Sequence, residues 1–172
     1  AALIALGLWR AEQAMGKGFA IGSAPIVGFH FGAGNTAELK NLFGKSLWIT
    51  GTLSVVLTGV AMGLAGPLAS IFVSYDVALM DMTRRAFLFY SISFLMTGAN
   101  IFGSAFFTAL NDGLVSAAIS FLRTLVFQTA AVFILPLFLE LDGVWLSIVA
   151  AEGLALCVTV FCFVRFKGKY QY

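Results

Sequence analysis

Five long apolar windows separated by short polar gaps organise the chain, at about 2–31, 47–75, 86–110, 114–139 and 144–166. A hydrocarbon core of about 30 Å is crossed by about 20 helical residues rising 1.5 Å each, and every window reaches that length. The windows that exceed it tilt or run into the headgroups. Gaps this short join consecutive antiparallel helices. The pattern therefore predicts an all-α integral membrane fold with five transmembrane helices, all of 1–172 forming a single partial transmembrane lobe.

The ends of the windows carry the expected punctuation. Gly22 to Asn35 holds a proline, four glycines and a capping asparagine before the polar segment with Glu38, Lys40 and Lys45, and reads as a membrane exit. Within it, Pro25 and Gly28 are the hinge candidates: a proline inside a spanning helix frees a backbone carbonyl, which neighbours or water satisfy in a bundle. Pro67 and Pro136 read as kinks without further role. Asp112-Gly113 and Asp142-Gly143 break the third-to-fourth and fourth-to-fifth connections, each Asp able to cap exposed amides.

Composition agrees with the pattern: 60% of residues are hydrophobic and 10% charged, against about 45–50% and about 25% in soluble domains. Mean hydropathy is +0.99. A net charge of +2, with the cations scattered in the gaps, leaves no basic face and excludes nucleic acid as a partner. Cys157 and Cys162 point about 140° apart on a helix and read as lipid- or core-facing thiols. The chain starts without methionine and its first window carries Arg10, Glu12 and Lys17, so it does not read as a signal peptide, and the expectation is a piece of a longer protein.

Cations orient the spans. Lys40, Lys45, Arg165, Lys167 and Lys169 fall on one side if five spans alternate, Arg123 leans the same way, and only Arg84 and Arg85 oppose them. The expected topology has an extracytoplasmic amino end and a cytoplasmic carboxyl end, in a membrane expected to be the bacterial inner (plasma) membrane.

Polar groups inside the spans are costly, about 2.5–3.5 kcal/mol for an ionisable side chain near the bilayer centre, so each needs a partner, water or a purpose. In the first span Arg10, Gln13 and Lys17 share a face, while Glu12 lies about 200° from Arg10 and cannot pair with it on the same helix. Arg10 and Glu12 either pair with another helix or handle substrate or protons. In the third span Thr97, Asn100, Ser104 and Thr108 form a polar stripe among Phe94, Phe102, Phe106 and Phe107. Such a stripe is either a hydrogen-bonded helix contact or a cavity wall for an amphipathic ligand. In the fifth span Glu152 lies about 15 Å of helix from Asp142, close to mid-membrane. Desolvation there disfavours the charged carboxylate unless a cation sits nearby, which leaves proton exchange or a static pair with Arg123 or Arg10. His30 reads as interfacial. One His and scattered acids assemble no metal cluster, phosphate loop or nucleophile triad, so the chain does not read as an enzyme and no cofactor or metal is expected.

Leu8-Trp9-Arg10-Ala11-Glu12-Gln13, with Gly18 through Gly28 and Phe31-Gly32-Ala33-Gly34-Asn35, resembles the eighth helix, and the loop after it, of the multidrug and toxic compound extrusion (MATE) family of transporters. Phe102 and Phe106 through Gly113, with Arg123, resemble its tenth-to-eleventh helix turn. Gly143 to Ser147, with Ala151-Glu152, resembles the start of its twelfth helix. The resemblance implies that the five spans are helices eight to twelve of a twelve-helix, two-lobe protein whose amino-terminal lobe is a missing partner.

It further implies antiport of protons or sodium ions, the coupling ion of the full-length parent, against small organic cationic or amphipathic substrates in a cleft between the lobes, with membrane lipid around them. Asn100, Ser104, Phe102 and Phe106 are then the cleft candidates, and Glu12, Glu152 and Arg10 the proton- or ion-handling candidates. Some relatives carry an acid in the tenth helix; here that apolar stretch has none, so no ion site transfers. Two rivals stand beside this reading. One is a lipid-linked oligosaccharide flippase of the same superfamily, which needs cations facing the cleft, with Arg10, Lys17 and Arg123 available. The other is a non-transporting membrane scaffold dimerising through Gly18 and Gly22.

Overall fold

A computed structural model of the chain describes the backbone of residues 2–73 and 76–172, and the side chains of 7, 10, 13–71 and 76–172. Every element among the described residues is helical: α1 (Ala2–Gly32), α2 (Thr36–Val73), α3 (Val77–Ala109), α4 (Gly113–Phe121) and α5 (Gln128–Tyr170), with a π-helical stretch Leu122–Phe127 joining the last two.

The helices outrun the apolar windows. Lys40 and Lys45 sit on α2 rather than in a gap, because the turn after α1 needs only residues 33–35: Gly34 takes φ 67°, and the Asn35 side-chain oxygen accepts from the Glu38 amide at 3.2 Å. α3 likewise starts nine residues before its window, because Asp76 caps it by accepting from the Ala78 and Leu79 amides at 2.9 and 3.2 Å. Arg84 and Arg85 therefore lie on a helix. Asp112 caps α4 as its position predicts, accepting from the Val115 amide at 3.3 Å.

Among the described residues three runs are long and apolar enough to cross a membrane: Thr36–Ile71, Val77–Ala109 and Gly113–Tyr170. The last, 58 residues, would be about 87 Å long if straight, nearly three hydrocarbon thicknesses. It is not straight. Glu140 has φ 50° and ψ −127°, a non-helical conformation, and the chain doubles back there. A Cβ on Gly143 would stand 2.5 Å from the Leu135 carbonyl oxygen, an approach of two backbones that only glycine permits. Arg123 and Glu152, which one straight helix would hold about 43 Å apart, are in contact. The reversal thus centres on Glu140 rather than on Asp142-Gly143, and Gly143 serves the close crossing that follows. Among the described residues α4, the π stretch and 128–139 run on as one arm, and 141–170 is the arm that returns beside it.

α3 is the central element, packed against α1, α2 and the second arm of α5. On α2 the buried face is a row of small residues, Ser46, Thr50, Ser54, Thr58, Ala61, Ala65 and Ala69, spaced by three or four. Thr50 and Thr58 return their hydroxyls to the carbonyls of Ser46 and Ser54, which keeps polar atoms off the interface. Gly98 fits against this row: a Cβ there would meet Ser54 Oγ at 2.5 Å. Small faces of this kind let helix backbones approach where lipid gives no hydrophobic drive to associate.

At one end of the bundle the contact becomes aromatic. Phe102, Phe106 and Phe107 of α3 pack with Phe43 of α2 and Phe163 of α5, and Phe107 stacks on Phe163 at 5.7 Å between centroids. The tail closes this cluster: Gln171 turns left-handed at φ 56°, and buried Tyr172 donates to the Phe163 carbonyl at 2.9 Å. The carboxyl ends of α1, α3 and α5 meet here, since Phe31 and Phe107 both touch Tyr170.

Candidate functional site

The carboxyl-terminal third of α3 carries Asn100, whose side chain has 0% exposure. Its amide nitrogen donates to Glu152 Oε2 at 2.8 Å and to the Glu152 carbonyl at 3.0 Å, and its side-chain oxygen accepts from Thr159 Oγ1 at 2.9 Å. The other carboxylate oxygen, Oε1, accepts from Arg123 Nε at 2.9 Å and Nη2 at 2.8 Å. Both oxygens of Glu152 are therefore held, one by a neutral amide and one by a guanidinium. The Arg123 and Glu152 side chains are 17% and 11% exposed, so the pair is nearly dry and depends on this full set of partners.

Arg123 reaches Glu152 from the π-helical stretch, where the Gln128 amide donates to the Arg123 carbonyl, five residues back instead of four. A π turn widens the helix by one residue and shifts the phase of the side chains on either side, a feature found frequently at functional sites. Of the two partners the sequence offers Glu152, the structure uses Arg123. Arg10 is exposed, and the side chain of Glu12 lies outside the described residues.

Two adjoining cavities open beside the pair, between α1, α3, α4 and the π stretch. One, about 360 Å³, is walled by Ala20 and Ile101 and edged by Ser104, Thr108 and Ser120. The other, about 490 Å³, runs past Gln13, Tyr90, Thr124 and Glu152. Lys17 and Arg123 line both. Two cations and one carboxylate thus face a mixed polar and apolar space, able to take a ligand with an apolar body and a polar or anionic group.

The polar stripe of α3 divides along its length. Thr97 bonds back to the Ser93 carbonyl and Asn100 is sealed against α5. Ser104 and Thr108 face the cavity and reach Ser116, with Ser104 also at 2.7 Å from Ser120. The first half is a hydrogen-bonded helix contact and the second half a cavity wall. Phe102 and Phe106, each 1% exposed, belong to the aromatic core and not to the wall, because the helical turn points them at α2 and α5. Pro25 is exposed, and α1 runs through it unbroken to Gly32; Gly28 lies beside the Ala109 carbonyl, 3.5 Å from where its Cβ would be. Both cysteines are free, Cys157 exposed and Cys162 buried.

Several participants escape a reading by sequence. Ser116, Ser120 and Thr124 recur at spacing four on one face ahead of and into the π stretch, a signal visible once α4 is known to flank α3. At the aromatic end Asp112 accepts from Tyr170 Oη and, at 3.3 Å, from Lys169 Nζ. The Tyr170 bond, with the Val115 amide and Lys169, holds the Asp112 carboxyl below its ordinary range against the opposing effect of burial. Nothing in local spacing joins residues 58 apart.

No curated protein and no solved structure matches the chain. The MatE family model matches residues 1–134, which takes in α1 to α4, the π stretch and the start of α5. With more than half the chain matched and with helices apolar enough to span a bilayer, the protein is an integral membrane protein that belongs to the MatE family, whose members are transporters of the MATE superfamily.

Proposed function

We propose that the chain forms helices eight to twelve of a twelve-helix, two-lobe antiporter, its five arms crossing the bacterial inner membrane with the aromatic, lysine-bearing end in the cytoplasm. In this reading the protein exports small amphipathic or cationic organic compounds against protons or sodium ions. The observation that carries it is the open cavity that Lys17, Ser104, Thr108 and Ser120 line within the family-matched helices. A second lobe opposite would make it the wall of a cleft, and rocking one lobe against the other would expose that wall to each side in turn. The Arg123–Glu152 pair keeps the wall in one shape, and its opening would couple ion binding to rocking.

One observation favours the lipid-linked oligosaccharide flippase as a second reading: Lys17 and Arg123 both line the cavity, and the one carboxylate lining it among the described residues is engaged with Arg123. That leaves Lys17 to meet an anionic head group. The full-length parent in proteoliposomes separates the two. Dye efflux driven by a proton or sodium gradient, abolished by Ser104→Trp and kept or raised by Lys17→Gln, supports the antiporter. Absence of efflux together with movement of a pyrophosphate-linked lipid that Lys17→Gln stops supports the flippase.

A further inference from the structure

On the side of α3 away from the cavity, a second groove of about 460 Å³ runs between α2 and the second arm of α5. Ala99 forms its floor, and Ala99 and Ser104 point about 140° apart on the helix, so α3 separates the two spaces. Its walls are apolar: Phe43 and Leu47 on α2, Leu156, Val160 and Val164 on α5. Its mouth carries Lys40 and Lys167, one from each wall, at the end where the aromatic cluster and the tail lie. Both lysines are exposed, and among the described residues the ion pairs are Arg123–Glu152 and Lys169–Asp112, so neither mouth lysine has a carboxylate partner.

The dimensions are those of one lipid leaflet. From Lys40 to Leu47 the groove descends about 10 Å along α2, and from Lys167 to Leu156 about 16 Å along α5, close to half of a hydrocarbon core of about 30 Å. Small residues keep it open: Ala99 at the floor and Gly44, where a Cβ would have nothing within 4 Å. Exposed Trp48, Phe161 and Val164 continue the apolar surface on either side, the surface a bilayer wets with acyl chains.

We infer that this groove is a binding site for an anionic phospholipid, with the phosphate held between Lys40 and Lys167 and one acyl chain laid along Leu47, Val160 and Leu156. Two unpaired cations at headgroup level over a leaflet-deep apolar slot match that molecule in both charge and length. A zwitterionic lipid fits the slot equally but brings its own cation to the lysines. The two lysines, each attracted to an anionic surface, together give a preference for an anionic lipid of about 30-fold. The site is independent of what the cavity transports.

Native mass spectrometry of the full-length protein, released from micelles holding equal phosphatidylglycerol and phosphatidylcholine, tests it. The expected result is retention of phosphatidylglycerol at about 30-fold over phosphatidylcholine, falling to parity in Lys40→Gln/Lys167→Gln and unchanged in Lys45→Gln. Ala99→Trp, which fills the floor, is expected to lower retention of both lipids. Phosphatidylglycerol is also expected to raise Tm where inorganic phosphate does not. Parity in the unaltered protein, a preference that survives the double substitution, or an equal Tm rise with inorganic phosphate would overturn the assignment. Because both lysines are exposed, the lysine variants are expected to fold, and a loss confined to lipid retention reads on the site.

Discussion

Asn100 donates its side-chain amide to Glu152 Oε2 at 2.8 Å across 52 residues of sequence, while Arg123 holds the opposite oxygen of the same carboxylate. One acid thereby ties α3, the π stretch and the second arm of α5 together at mid-bundle.

Removing one member of the ion pair leaves the other nearly buried and uncompensated, which costs about 3–5 kcal/mol. Glu152→Leu and Arg123→Leu are each expected to lower stability by that order in detergent unfolding. The double variant is expected to lose much less than the sum, because it buries no orphan charge. Additive losses would mean that the two side chains act independently.

Asn100→Leu removes the donor to Glu152 and the acceptor for Thr159 Oγ1, leaving each without that partner. A loss of about 1–3 kcal/mol for each buried group left unsatisfied is expected. Adding Thr159→Val removes one of those groups, so Asn100→Leu/Thr159→Val is predicted to recover part of the loss. Urea or thermal unfolding of the two variants beside the unaltered protein checks the order.

Glycine positions separate by what surrounds them. A Cβ on Gly103 would collide with Thr159 Cγ2 and lie 3.2 Å from Phe163 Cζ, whereas one on Gly51 would meet nothing within 4 Å. Gly103→Ala is therefore expected to destabilise by about 1–3 kcal/mol through overpacking. Gly51→Ala is expected to be neutral or to stabilise by up to about 1 kcal/mol, the helix propensity gained. Equal effects at the two sites would contradict the packing of α3 against α5.

The Asp112–Tyr170 contact sets a pH window for the tail. The Asp112 carboxyl lies below its ordinary 3.8 when folded, so its contribution is present above that value and fades as pH falls through the folded one. Hydrogen exchange of residues 167–172 is expected to show protection at neutral pH and its loss at the acid edge. In Asp112→Asn the acid edge should flatten while the α4 cap survives, since Asn caps about as well as Asp.

The helices, the capping at Asp112 and the prominence of Asn100, Ser104 and Glu152 were legible in the residues themselves. Helical period and the cost of polar groups in lipid are local properties, and both point to those positions. The lengths of α2 and α3 were not, because hydropathy measures what lipid tolerates, whereas Asn35 and Asp76 let the helical hydrogen bonds continue outside it. Nor was the fate of Phe102 and Phe106: an aromatic beside a polar stripe suits a cavity wall or a core equally until its neighbours are known.

Amino-acid order alone determined that this protein lives in a membrane as apolar helices and that it carries the marks of the MATE transporters. Those conclusions follow from composition, period and short motifs, each read within a few residues. Only the tertiary structure decided that Arg123 and not Arg10 meets Glu152, that the chain reverses at Glu140, and that Lys40 and Lys167 frame one groove. Each of these depends on which helix faces which, and a hydrophobic pattern that is apolar all round leaves that choice to packing.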